Sequence, residues 1–262
     1  MVRDLIEEFA QEARGNPMEA ARRGMRPTLP KRFYKDARVE EKEGGFALSL
    51  DGKTARTPAR KPLVLPARAL AEAIAAEWAA QASEIDPANM PLTRLANLAI
   101  DRIAEEAAAM REEIVRYASS DHVLYRAGEP EGLAALQAAH WDPILEWAHS
   151  ALGARFILAA GVNFVPQPAA ALAAVRAEVD NWPPPFALAA LASLTSLAGS
   201  ALIALALVRG RLTVAEAWNA AHVDEDWNIR QWGEDAEATS RRARRFAEFE
   251  AAARMLALLD RP

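Results

Sequence analysis

Residues Phe186 to Val208 form a run of 23 residues without a charged side chain. Water is a poor solvent for such a run, so it must be buried in a protein core or in a bilayer. Its length is nominally enough to cross a membrane. Against that, Ser193, Thr195, Ser196, Gly199 and Ser200 interrupt it, and alanine supplies much of its apolar character. Pro183-Pro184-Pro185 in front of it suits a helix start after a turn, and Gly199 is placed to split it into two short helices. The run is predicted to be a buried helical hairpin, without membrane insertion. A chain of 262 residues with 52% apolar content has the material for such a core.

Elsewhere the hydrophobic period changes once. Ala37–Lys42 and Phe46–Leu50 read as strands separated by Glu43-Gly44-Gly45, and Asp51-Gly52 is a two-residue hairpin turn. Thr54–Thr57 and Pro62–Leu65 read as two further short strands. From Ala67 onward Leu70, Ile74, Glu77-Trp78 and Gln81 recur at three- and four-residue steps. Helices are predicted around Leu92–Tyr117, Glu131–Leu152, Ala169–Trp182, Phe186–Arg209, Thr213–Trp232 and Ala236–Leu259, with an extended piece at Phe156–Phe164. Strands followed by helices give an α+β fold: a small N-terminal antiparallel β domain over residues 28–66, then a larger all-helical domain over 67–262. Charge divides at the same place, with net +4 up to residue 66 and net −9 beyond it. Residues 1–27 read as a mobile arm, broken at Gly15-Asn16-Pro17. The segment Met1–Arg26 carries Asp4, Glu7, Glu8, Glu12 and Glu19 and has no apolar centre, so neither a secretory signal nor a presequence is expected. The predicted location is bacterial cytoplasm.

Much chemistry is unsupported by the sequence. With no cysteine there is no disulfide framework, thiolate metal site or cysteine nucleophile. A net charge of −5 argues against nucleic acid as a partner. Gly52-Lys53-Thr54 imitates the end of a phosphate-binding loop, but Ala47 stands where that loop needs glycine and the pair lies between strands. Gly44-Gly45 lacks the third glycine of a dinucleotide fingerprint. Gly199-Ser200 lacks the second glycine of a hydrolase elbow. The sequence assigns no catalytic residue, metal or cofactor. An alternative reading, a metal-dependent hydrolase, would have to bring His122, His140 and His222 together with the late carboxylates, and no ligand spacing advertises that.

One segment stands out. Trp218, His222, Glu225, Ile229 and Trp232 fall on one stripe if the segment is a single helix. Around them lie Asp224, Asp226, Glu234, Asp235 and Glu237, against Arg230 alone. An ordinary helix with a solvated acidic face would look like this. So would a docking surface in which Glu225, between indoles, is a recognition carboxylate. No second catalytic carboxylate is assignable, so an interface is the better functional reading.

Several ordered stretches add to this: Lys31-Arg32-Phe33-Tyr34-Lys35, Thr57-Pro58, Glu77-Trp78…Gln81, Met90-Pro91-Leu92-Thr93, Ile100-Asp101, Asp121, Leu124-Tyr125-Arg126, Gln137…Trp141-Asp142-Pro143, Gly199-Ser200 and Gln231-Trp232-Gly233. Over residues 28–258 the chain resembles the ATP synthase assembly chaperones that bind the α subunit of the F1 head. The resemblance implies no enzymatic activity and no cofactor. It implies a monomer that holds the free α subunit and shields its β-facing surface; eukaryotic members would lie in the mitochondrial matrix. It places the functional acid at Glu225, with Asp224 and Asp226 one position away; Trp232, on the stripe with Glu225, is a further candidate contact. It also marks Trp78, although the apolar stripe with Leu70 and Ile74 makes a core tryptophan the preferred reading there.

Overall fold

The Asp51-Gly52 pair turns the chain back on itself as its chemistry predicts. Both residues take positive φ, 48° and 80°, and Leu50 pairs with Lys53 across the turn. The Asp51 carboxylate also accepts hydrogen bonds from the backbone of Lys35 and Asp36, at 3.1 and 2.9 Å. This computed structural model describes residues 29–161 and 163–259; the arm read over residues 1–27 lies outside them.

Strands β1 (Ala37–Lys42), β2 (Gly45–Leu50), β3 (Lys53–Thr54) and β4 (Val64–Leu65) make one antiparallel sheet, in which β2 pairs with each of the others. The last two strands are shorter than predicted. Pro58 and Pro62 lack the N–H a ladder needs, and only an isolated Arg56–Pro62 bridge remains between them. Gly45 sits at φ 142°, where an added Cβ would stand 2.3 Å from the Leu65 carbonyl oxygen. Leu48, Leu50, Leu63 and Leu65 are buried, as are Leu70 and Ile74 of helix α1 (Arg68–Ala79), which packs on β1, β2 and β4.

Helix α2 (Pro91–Leu98) has no cap of its own at Met90. Glu77 of α1 supplies one: its carboxylate accepts from Leu92 N and Thr93 N at 2.8 Å and from Thr93 Oγ1 at 2.7 Å. Gln81 closes the connecting loop, donating to the Glu77 carbonyl at 3.0 Å and accepting from Asp86 N at 2.8 Å. The Tyr34 hydroxyl donates to the Trp78 carbonyl at 2.7 Å, with the two rings 5.5 Å apart. Asp101 likewise accepts from Thr57 Oγ1 at 2.6 Å and Ala59 N at 3.1 Å.

The single helix predicted over Leu92–Tyr117 is interrupted. A π-helical turn occupies Ala99–Ile103, and α3 (Ala104–Ser119) is bent at Glu106, φ −108° and ψ 20°. Lys61 donates to the Ile100 carbonyl at 3.3 Å and to Glu105 at 2.7 Å. Such long-range contacts leave no trace in apolar periodicity.

The chain forms two compact units. One holds the described residues up to Ala107 with 184–190 and 254–259; the other holds Ala108–Pro183 and Leu191–Ala253. The second contains most of α3, then β5 (Tyr125–Arg126), α4 (Glu131–Leu152), β6 (Ala159–Ala160) and α5 (Ala169–Asp180). After these come the bulk of α6 (Phe186–Ala198), α7 (Ala201–Val208), α8 (Val214–Ala221), α9 (Val223–Trp232) and most of α10 (Ala236–Leu258). The long α4 packs against α5, α7, α8 and α9, and β5 pairs with β6 in parallel.

The uncharged run is split at Gly199. At φ 68° this glycine ends α6, and Ser200 N donates back to the Thr195 carbonyl at 3.2 Å. Ser200 Oγ then accepts from Ile203 N at 3.0 Å to start α7, while Asp121 Oδ2 accepts from Leu202 N at 3.0 Å. Every residue of α7 is buried. Among the described residues no helix is long and apolar enough to cross a membrane.

Replacing Glu77 by alanine strands the α2 donors Leu92 N and Thr93 N. Unfolding in urea is expected to show a loss of about 2–4 kcal/mol for Glu77→Ala, against less than about 1 kcal/mol for Glu72→Ala on the exposed face of α1.

Candidate functional site

Thr213 opens α8 with a reciprocal cap: its hydroxyl accepts from Glu216 N at 3.2 Å, and the Glu216 carboxylate accepts from Thr213 N at 2.8 Å. The predicted continuous helix from Thr213 to Trp232 then breaks at His222, φ −122° and ψ 20°. His222 Nδ1 donates to the Trp218 carbonyl at 2.8 Å, so a side chain takes the carbonyl that the next helical turn would use. The stripe is divided as a result. Trp218 is buried, stacked on His222 at 4.0 Å and against Phe246 and Phe249 of α10 at 5.2 and 5.3 Å. Trp232, at the far end of α9, is 78% exposed.

The three acids at the start of α9 have different partners. Asp224 accepts from Gln137 Nε2 of α4 at 2.8 Å. Gln137 is itself buried, and its Oε1 accepts from Ala127 N at 2.8 Å. Asp226 is ion-paired with Arg242 of α10. Among the described residues Glu225 has its ion-pair contact with His222 Nε2, 3.9 Å away, and the Arg242 charge also acts on it; 45% of its side chain is exposed.

Burial pushes the His222 imidazole below its ordinary range, and the charges of Arg242 and Arg245 add to this, while the Trp218 carbonyl and Glu225 oppose it. At neutral pH the ring is therefore uncharged and does not neutralise Glu225. An acidic first turn is favoured by the helix dipole, so α9 tolerates its three carboxylates without neutralising the exposed one.

Around these acids the supports are well built. Trp141 Nε1 donates to the Ala220 carbonyl at 2.8 Å. The Arg126 guanidinium lies over the Trp141 ring at 5.3 Å and pairs with Asp142 at 2.7 Å. Trp227 covers Gly132, where a Cβ would stand 2.8 Å from the indole. Leu136, His140, Asn219, Val223, Asp226 and Arg230 line a cleft of about 190 Å³ between α4 and the α8–α9 pair.

The three histidines of the hydrolase reading are used separately. His122 Nδ1 donates to the Gly199 carbonyl at 3.1 Å, and its ring lies edge-on to Trp141; His222 is bound to Trp218, and His140 lines the cleft. Among the described residues no group of three or more His, Asp or Glu side chains is placed to hold a metal ion. Trp78 belongs to the other compact unit, where it packs on Tyr34. Sequence reasoning did not single out Arg242 or Trp227. The arginines clustered at 241–245, soon after an acidic segment, are the signal that would have suggested Arg242.

Comparison with known proteins places the chain in a family. The sequence model described as ATP12 chaperone protein matches residues 31–149. The crystal structure of Atp12 from Paracoccus denitrificans is 40% identical, covers 87% of this chain and 98% of its own, and superposes with a TM-score of 0.82. The chain belongs to the ATP12 chaperone family. An Agrobacterium tumefaciens structure is 50% identical over 98% of this chain and 97% of its own, TM-score 0.86. The mitochondrial atp12 protein of Schizosaccharomyces pombe is 25% identical over 223 residues, 79% of this chain and 75% of that protein. As an ATP12-type assembly chaperone, the chain has its α+β architecture in common with the two solved structures, and the Agrobacterium match, at 98% of the chain, extends well beyond the family model's limit at residue 149.

His222 gives a pH signature. The unfolded ring takes up its proton near pH 6.5 and the folded ring at lower pH, so its contribution to stability is complete above about 6.5 and declines as pH falls below it. In urea titrations His222→Gln is expected to be less stable than the parent at pH 7.5, and the gap should narrow at pH 5.5. An unchanged gap would mean that His222 titrates normally.

Proposed function

We propose that this chaperone binds the free α subunit of the ATP synthase F1 head and shields its β-facing surface until the hexamer assembles, with Glu225 as the key contact. The observation that carries the assignment is the unequal use of the three acids. Asp224 is held by Gln137 and Asp226 by Arg242, whereas Glu225 is half-exposed beside a neutral imidazole. Trp232, exposed on the same helix, supplies the apolar anchor that a lone carboxylate cannot. On this reading Asp224 and Asp226 set the shape of α9, and Glu225 meets the partner.

An isolated α subunit presents surface meant for a neighbour, which favours aggregation. A one-to-one monomeric holder can mask it by binding alone, without catalysis or cofactor, in the bacterial cytoplasm. The metal-hydrolase alternative has no observation in its favour, since His122 and His222 are bonded to separate backbone carbonyls and, among the described residues, no group of three His, Asp or Glu is placed to hold a metal.

The test is co-expression with the α subunit of the same genome, followed by size-exclusion chromatography with light scattering. A one-to-one complex that β subunit dissolves is expected. Glu225→Gln and Trp232→Ala should each weaken it about tenfold or more with an unchanged melting temperature. Asp226→Asn should instead lower stability, by about 1–3 kcal/mol, because Arg242 loses its partner. Wild-type affinity in a folded Glu225→Gln variant would refute the site.

A further inference from the structure

Ile157, Leu158 and Phe164 are 47, 49 and 65% exposed, and all three lie in the connection between α4 and α5. Scattered exposed apolar side chains are ordinary, but these sit on a braced segment. The Gln167 side chain accepts from Ile157 N at 2.8 Å and donates to the Ile157 and Val165 carbonyls at 3.0 and 3.2 Å. One amide thus clamps both limbs of the connection at its base. A segment that displays apolar side chains in a fixed geometry loses little conformational entropy on docking.

The same segment is tied to α9. Strand β6 within it pairs with β5, Arg126 against Ala160, and Gly161 N donates to the Arg126 carbonyl at 3.0 Å. The next residue, Ala127, gives its N–H to Gln137, which in turn holds Asp224. A hydrogen-bonded series therefore runs from the acidic turn of α9 to the apolar connection, inside one compact unit.

We propose that Ile157, Leu158 and Phe164 are the apolar half of the docking surface whose acidic half is Glu225. The occupant is the same α subunit, meeting the chaperone with a cation beside an exposed apolar patch. The proposal rests on the function argued above and extends it from one helix to a two-part surface. The two halves have complementary tasks: the apolar segment buries area, and the unneutralised carboxylate rejects partners without a matching cation. Gln137 links the halves indirectly: it holds Asp224 and Ala127 N, and Arg126 beside Ala127 accepts from Gly161 N of the apolar segment.

A displacement assay tests this. Labelled wild-type chaperone in complex with the α subunit is challenged with unlabelled wild type or with Leu158→Ser/Phe164→Ser, both confirmed as folded by circular dichroism and melting temperature. The double variant is expected to need at least about tenfold higher concentration. If the wild-type complex forms and the variant competes within twofold, the apolar half is refuted while the function stands. If no wild-type complex forms at all, the functional reading fails and this proposal with it. If the chain alone is a dimer that the double variant converts to monomers, the segment belongs to a second copy, which also overturns the proposal.

Discussion

The larger unit depends on one fully buried carboxylate. Asp121 accepts from Val123 N and from Leu202 N at the start of α7, so it anchors the point where the uncharged run is cut. Burial drives its carboxyl upward, and the neighbouring His122 and the Ser200 hydroxyl act in the opposite sense. Without an acceptor there, the Leu202 N–H would be left unsatisfied inside an apolar core, at a cost of about 1–3 kcal/mol. Glu77 does the same for α2 in the smaller unit. In both places an acid from one element completes the first turn of another. A helix N-terminus is where burying a carboxylate is least unfavourable, because donors and dipole both favour the charge.

The acids of α9 follow a different logic, since they are near water. Two are fixed by partners on α4 and α10, and both of these helices are held by aromatic packing as well. The Trp218 ring lies between His222 and the phenylalanines of α10, while Trp141 reaches the Ala220 carbonyl. The acidic turn is thus mounted on a rigid base. On the proposed function, a carboxylate mounted in that way would keep its position when desolvated.

Where residue chemistry is local, the sequence was sufficient. Asp51-Gly52 could only be a tight turn, and Gly199-Ser200 carried both the stop and the start of a helix. The α+β class followed from one change of period at Ala67. The misreadings came from contacts between distant residues. Lys61 meets the Ile100 carbonyl across the middle of a predicted helix, and His222 looked continuous with its neighbours because Trp218 and Trp232 keep helical spacing through the break. Glu225 was identifiable as a candidate by position. That it alone among three acids is free of a strong partner required knowing where Gln137 and Arg242 lie.

That difference bears on what a partner must provide. Unit charges about 4 Å apart attract by about 1 kcal/mol in bulk water and about 4 kcal/mol at the effective dielectric near a protein surface. Covering Glu225 with an apolar face therefore removes hydration and returns nothing, while covering it with a cation strengthens the attraction as water leaves. The neutral state of His222 matters here, since a protonated ring would already satisfy the carboxylate and reduce what a partner gains. Burying that imidazole against Trp218 keeps the ring itself from neutralising Glu225. The same ring that ends α8 thus shapes the electrostatics of the acidic turn that follows it.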